Sequence, residues 1–190
     1  MTQLRFLGIS GSLRAGSFNT ATLRAAAELA PADVGIEIAS LRDIPLYDED
    51  VRAAGVPPAV TALQTAIATA DAVIIATPEY NYSVPGVLKN ALDWVSRTEP
   101  QPFRDKPVGI VGASPGAVGT ARAQYDLRKM FVYLDAHPLN KPEVMIGAAN
   151  TCFDADGRLT DEATRSILGS MIVTLRDWTL RLRGAAAPGR

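Results

Sequence analysis

Cysteine and histidine are almost missing: Cys152 and His137 stand alone in 190 residues. A single cysteine excludes an intrachain disulfide, and with one histidine it leaves no cluster of zinc-ligand spacing. A Ser–His hydrolytic triad would have to use His137, which precedes Pro138 in an expected solvent-facing loop, and no G-x-S-x-G elbow accompanies it. No metal site is expected. Long apolar runs are missing too: none reaches membrane-spanning length, and the start lacks the basic-then-apolar pattern of a signal peptide. The expected compartment is cytoplasmic, away from membranes. An excess of one charge is also absent, with 19 basic against 20 acidic residues and a net charge of −1. Without a Lys/Arg cluster, a nucleic-acid partner is not expected. An enzyme with this inventory would draw its chemistry from a cofactor.

What is present is a core. Hydrophobic residues make up 47% of the chain, enough for one domain, expected over residues 1–183. The remainder, 184–190 (GAAAPGR), carries no packing groups and is expected to be a mobile tail. Strand-length apolar segments alternate with helical patterns. Strands are expected from Leu4 to Ile9, Gly35 to Leu41, Ala72 to Thr77, Pro107 to Gly112 and Glu143 to Ile146. Helices are expected from Ser17 to Leu29, Val60 to Ala70, Val87 to Ser96, Ala121 to Leu134 and Asp161 to Leu182. The last buries Ile167, Leu168, Met171, Ile172, Leu175 and Trp178. The Asp43–Pro58 stretch reads as irregular loop, rich in proline and acidic residues. Such alternation implies an α/β domain with a parallel sheet and right-handed crossovers. A three-layer, flavodoxin-like sandwich with a five-stranded parallel sheet of order 2-1-3-4-5 fits, with ligands beyond the carboxyl ends of the strands.

Three loops fall on that edge. The first, Ser10 to Asn19, follows strand one and opens a helix, whose first N–H groups lack partners and whose dipole favours an anion. Ser12, Arg14 and Ser17 add hydroxyls and a fixed charge, so the site suits a phosphate. It is not a P-loop, because Gly16 is followed by Ser17 rather than Lys, and Gly8, Gly11 and Gly16 miss the dinucleotide spacing. A monophosphate remains, against the plainer reading of a Ser or Asn helix cap with nothing bound. The second loop, within Thr77–Lys89, is stiffened by Pro78 and Pro85 and carries Tyr80 and Tyr82, a wall for a planar heteroaromatic ligand. Packing of those tyrosines on a helix or a second subunit is the alternative. The third loop, with Ser114, Gly116 and Gly119, permits close backbone approach.

Gly11-Ser12-Leu13-Arg14 with Ser17 and Asn19, then Pro78-Glu79-Tyr80-Asn81-Tyr82-Ser83 with Pro85-Gly86 and Lys89-Asn90, resembles the NADPH-dependent FMN reductase family. The branch of bacterial chromate and quinone reductases is the nearest, and the similarity runs from Leu4 into Asn140–Glu143. The resemblance implies FMN as cofactor, with NADPH or NADH as co-substrate. It implies cofactor contacts from Ser12, Arg14, Ser17, Phe18 and Asn19 at the phosphate, from Pro78, Glu79, Tyr80 and Asn81 at the ring, and from Ser114 and Gly116 on the far side. It also implies homodimers or homotetramers, with Arg122, Tyr125 and Glu143 at the contact; a solvated helix face is the alternative for these three. One departure is Gly119-Thr120, where relatives often have paired glycines.

The implied activity passes hydride from NAD(P)H through FMN to quinones, chromate or similar acceptors, with no catalytic side chain required. Two rivals stay open. One is an NAD(P)H:free-FMN reductase supplying a partner monooxygenase, and the other a flavodoxin-type electron carrier, which the near-neutral charge disfavours.

Overall fold

The computed structural model describes residues 3–185. Its sheet is wholly parallel, built from β1 (Leu4–Ser10), β2 (Val34–Ala39), β3 (Ala72–Ala76) and β4 (Pro107–Ala113) in the order β2-β1-β3-β4. The fifth position is divided. Two short strands, β5 (His137–Pro138) and β6 (Val144–Ile146), both pair with β4, one at its start and one at its end. The order 2-1-3-4-5 therefore holds, but the expected fifth strand is only the second half of this edge. Pro138 and Pro142 explain the break, since proline removes a ladder donor. His137 thus sits in a strand and is half-buried, with Nε2 3.2 Å from Asp105 Oδ1, rather than facing solvent from a loop.

The continuous apolar runs conceal a two-residue period. Leu4 and Phe6 face one side of β1, and Leu7 and Ile9 the other. In β3, Ala72, Ile74 and Ala76 oppose Val73 and Ile75 in the same way. Each face meets its own helices, as a doubly covered parallel sheet requires. On the first face lie α1 (Phe18–Leu29) and α7 (Glu162–Ala185); on the second lie α3 (Pro58–Thr69), α4 (Gly86–Val95) and α5 (Ala121–Tyr133). Arg176 of α7 grips Asp33 with a forked pair of bonds, Nε at 2.8 Å and Nη2 at 2.6 Å, tying α7 to the turn before β2.

Several expectations change. The 43–58 stretch contains α2 (Glu49–Ala54), started by Asp48, whose carboxylate accepts from Asp50 N–H at 2.8 Å, and ended by Gly55. It is pinned to α4: Trp94 Nε1 and Asn90 Nδ2 both donate to the Pro45 carbonyl at 2.8 Å, and Tyr47 lies edge-on to Trp94. Leu46 is 83% exposed. A further short helix, α6 (Ala149–Cys152), precedes α7. In α7, Ile167 faces solvent and Trp178 is only half-buried, while Leu168, Met171, Ile172 and Leu175 are buried as expected. The helix also runs through Gly184, beyond the expected end of the domain. The rest of the expected tail, 186–190, lies outside the described residues.

One glycine sets the spacing of the carboxyl edge. A Cβ at Gly112 would lie 1.8 Å from Thr120 Oγ1 and 2.4 Å from the Thr77 carbonyl oxygen. Backbone cannot give way there as a flexible side chain would, so β4 would have to move. Gly112→Ala should cost about 1–3 kcal/mol of stability, the usual range for overpacking. Urea denaturation checks this, and an unchanged midpoint would contradict it.

Candidate functional site

The carboxyl ends of β1, β3 and β4 open into one cleft, lined by Ser12, Arg14, Ser17, Phe18, Asn19, Pro78, Glu79, Tyr80, Ala113, Ser114 and Pro115. Nine of the expected residues therefore come together. Asn81 and Gly116 stand on the rim loops, outside the lining, while Ala113 and Pro115 were not expected. A larger hollow, lined by Ala68, Asp71, Lys106, His137 and Arg183, lies at the amino ends of the strands. None of the three loops reaches it, and ligands of this topology bind at the other edge.

The phosphate end is built by the start of α1. Ser17 is the N-cap, 6% exposed, and its hydroxyl accepts from Thr20 N–H at 3.2 Å. That satisfies one donor of the first turn. The Phe18 and Asn19 N–H groups have no acceptor among the described residues and face the cleft end of the helix. Arg14 is exposed beside them, held by one bond from Nη2 to the Gly16 carbonyl at 3.0 Å, with its other donors open. Ser12 Oγ accepts weakly from Arg14 N–H at 3.4 Å and keeps its own proton to give.

Asn19 behaves differently from the expectation. Its side chain is 3% exposed and pairs twice with Ala113 of β4, Nδ2 donating to the carbonyl and Oδ1 accepting from the N–H, each at 2.9 Å. Only its backbone N–H is left for a ligand.

The ring end is a stiff hairpin. Tyr80 and Ser83 exchange both backbone hydrogen bonds at 3.1 Å, and Asn81 and Tyr82 between them have φ of 51° and 67°. Two successive positive φ values define a type I′ turn, occupied here without glycine. Its geometry is imposed from α5. Ser83 Oγ donates to Asp126 at 2.8 Å, and the Arg122 guanidinium lies 4.0 Å from the centre of the Tyr82 ring. The Glu79, Asn81 and Tyr82 N–H groups have no acceptor among the described residues, so they stay available to a ligand edge.

Glu79 is the anchor. Thr120, the N-cap of α5, makes no capping bond of its own. Glu79 supplies it from 43 residues away: Oε2 accepts from Arg122 N–H at 3.0 Å and Ala123 N–H at 3.1 Å, and Oε1 from Arg122 Nη1 at 2.9 Å. Burial pushes its carboxyl up, but the Ala123 N–H and the Arg122 guanidinium and N–H outweigh that and hold it below the ordinary glutamate range. It is an ionised cap, not a proton donor.

The third loop is braced from below. Ser114 N–H donates to Ile146, Ala149 N–H to Ser114, and Ala148 N–H to Gly116, at 3.0 to 3.2 Å. Thr120 points inward, fully buried, and accepts from Gln124 Nε2 at 3.1 Å. The Gly119-Thr120 departure therefore leaves the cleft unobstructed. Of the three residues expected at a subunit contact, Arg122 is engaged within the chain by Glu79 and Tyr82. Tyr125, 53% exposed, donates to Glu143 at 2.8 Å. The missed contributor beneath the cleft is Phe153, whose ring sits 5.2 Å from that of Phe18.

The model of the NADPH-dependent FMN reductase family matches residues 4–151. The chain belongs to that family, and with it come FMN and an NAD(P)H co-substrate. It is 56% identical to an NAD(P)H-dependent FMN reductase of Pseudomonas aeruginosa, over 95% of this chain and 98% of that one. It is 44% identical to a quinone reductase of Escherichia coli K12, again over 95% and 98%. Among solved structures it is similar to a flavoenzyme NAD(P)H:(acceptor) oxidoreductase, FerB, from Paracoccus denitrificans, with TM-score 0.85 and 33% identity over 94% and 98% of the two chains. The residues present fit FMN: a helix start with open N–H groups and a free guanidinium for the phosphate, and a rigid loop with open N–H groups for the ring edge.

Two outcomes follow from this geometry. Arg14→Ala should weaken FMN binding roughly 10- to 100-fold, since a hydrogen bond to a charged group contributes about 1.5–3 kcal/mol, with the melting curve of the FMN-free protein unchanged. Fluorescence titration of FMN measures this, and equal affinity would sink the phosphate assignment. Because Glu79 is lowered in the fold, its contribution is present above the unfolded value near ~4.3 and lost as pH falls through the folded one. Between pH 6 and 3 the parent should therefore lose stability more steeply than Glu79→Gln; parallel pH profiles would show that the cap carries no charge.

Proposed function

We propose that the chain is an FMN-dependent NAD(P)H oxidoreductase that reduces quinones by two electrons, NAD(P)H plus a proton and quinone giving NAD(P)⁺ and hydroquinone. The observation that carries this is the meeting, in one cleft, of an anion-ready helix start with a hairpin whose open N–H groups are fixed from α5. Bound FMN supplies the hydride acceptance and donation, which no side chain here can perform. Arg14 and the first turn of α1 hold a phosphate. The hairpin orients a ring edge, and its N–H groups favour negative charge there. Tyr80, 53% exposed, leaves the cleft open to acceptors of varied shape. Chromate and similar oxidants are included in the proposal on that ground.

The buried polar side chains of the site, Asn19 and Glu79, are spent on backbone and on Arg122, which leaves transfer to the cofactor and its two substrates. A flavodoxin-type carrier would bind FMN through the same elements, but carriers tend to be strongly acidic for docking, which a net charge of −1 does not favour. Arg122 and Tyr125 are exposed on α5, with the half-buried Glu143 bonded to Tyr125, and we propose a homodimer or homotetramer contact there. With no helix of the described residues able to cross a membrane and one free cysteine, a cytoplasmic place is proposed.

The purified protein should carry flavin absorbance and consume NADPH or NADH when a quinone is added, at a rate not raised by extra free FMN. Flavin without nucleotide consumption would make it a carrier. A rate proportional to added FMN would make it a supplier of reduced flavin.

A further inference from the structure

On the outer side of the phosphate loop, between that loop and the carboxyl end of β2, runs a second groove. Arg14, Arg24 and Arg42 line it, with Ser40, Thr20 and the apolar Leu13 among its other walls, and no carboxylate lines it at all. None of the three arginines forms an ion pair with a described Asp or Glu, whereas eleven such pairs occur elsewhere. In a chain of net charge −1, three uncompensated guanidiniums in one groove are a concentrated positive field.

The groove is also shaped. Arg42 N–H donates to Ser40 Oγ at 3.1 Å, turning the chain at the end of β2, and Arg42 Nη2 donates to the Leu13 carbonyl at 2.6 Å. That bond lays its guanidinium across the groove and leaves its other donors free. Arg24 projects from α1 on the same side, exposed. Arg14 lines both this groove and the cofactor cleft, so the two share a wall.

We infer that this groove takes the 2′-phosphate of NADPH, with Arg24 and Arg42 as the specificity-determining residues that favour NADPH over NADH. The inference rests on the FMN and NAD(P)H reading above and adds the choice of nucleotide. The two nucleotides differ by one phosphate monoester on the adenosine ribose, and guanidiniums pair with such a group in a planar, two-bond fashion. The β2 edge lies three strand spacings from β4, roughly 14 Å at about 4.8 Å each, which an extended dinucleotide spans when its nicotinamide lies in the cleft.

Titration calorimetry of the FMN-loaded protein with 2′,5′-ADP and with 5′-AMP tests this without turnover. The parent should bind 2′,5′-ADP at least ~10-fold more tightly, and the Arg24→Ala/Arg42→Ala double variant should lose that advantage. In steady state the double variant should raise KM for NADPH roughly 10- to 100-fold, with KM for NADH and both kcat values unchanged, and the Arg24→Lys/Arg42→Lys pair should recover part of the loss. Equal binding of the two probes, or equal shifts for both nucleotides, overturns the inference. So does displacement of 2′,5′-ADP by inorganic phosphate at equal affinity, which would make the groove a simple phosphate site. Absence of turnover with both nucleotides in the parent would overturn the oxidoreductase reading instead, while the calorimetry still reports on the groove.

Discussion

The cleft depends on one buried amide. Asn19 sits at the start of α1, yet its side chain pairs like a strand neighbour with the N–H and carbonyl of Ala113 at the end of β4. It reaches past β3, which lies between β1 and β4 in the sheet. The phosphate end and the far wall of the cleft are thereby held in fixed relation by two hydrogen bonds shielded from water. Substituting aspartate would place a second acceptor against the Ala113 carbonyl, and an apolar residue would leave both backbone groups unpaired, at about 1–3 kcal/mol each. Glu79 does the corresponding work on the other side, linking the hairpin to α5. The side chains of both residues are spent on backbone that borders the cleft.

This division explains what was legible in the sequence. The strand–loop–helix starts and the convergence of three loops follow from local pattern and topology, and Ser12, Arg14, Ser17, Pro78 and Tyr80 came together as that pattern requires. What pattern does not convey is where a side chain is spent. The resemblance assigns Asn19 to the phosphate, whereas its side-chain partner is 94 residues away. The resemblance puts Glu79 at the ring, and its role as the cap of α5 appears only once β3 and β4 are paired. The divided fifth strand was half visible, since Val144–Ile146 is apolar and β-branched while His137–Pro138 is too short for any period. The small helix α2 was signalled by Asp48-Glu49-Asp50 and Gly55, a cap, an acidic first turn and a stop, but Pro45 before that run and Pro57-Pro58 after it drew the reading towards loop.

Part of the backbone strain lies where binding is expected. Asn81 and Tyr82 occupy left-handed backbone without glycine, a conformation that costs free energy and persists only when the surroundings overdetermine it. Here the surroundings are explicit: the Tyr80–Ser83 backbone pair, the Ser83–Asp126 bond, the Arg122 stack on Tyr82 and the Glu79 cap. A floppier loop would have to be ordered by the ligand at the ligand's expense in affinity, whereas this one is ordered beforehand.

Titratable groups in this chain are shifted for structural reasons, and that bears on mechanism. Asp33 is lowered by its hydrogen bond to Arg176, Glu79 by the donors at α5, and Glu143 by Lys141 and Tyr125. Each of these three shifts stabilises a carboxylate that is already ionised at neutral pH, and Lys106, which burial lowers, lies at the amino ends of the strands, away from the cleft. A reaction run by a bound redox cofactor does not require a general acid or base for the transfer itself, since a hydride carries its hydrogen nucleus and electron pair together. What it requires is a ring held at a fixed height beside open N–H groups, with an open face for two substrates in turn. Rigid loops and carboxylates spent on structure meet that requirement, and the groove that shares Arg14 with the cleft adds a concentration of positive charge beside it.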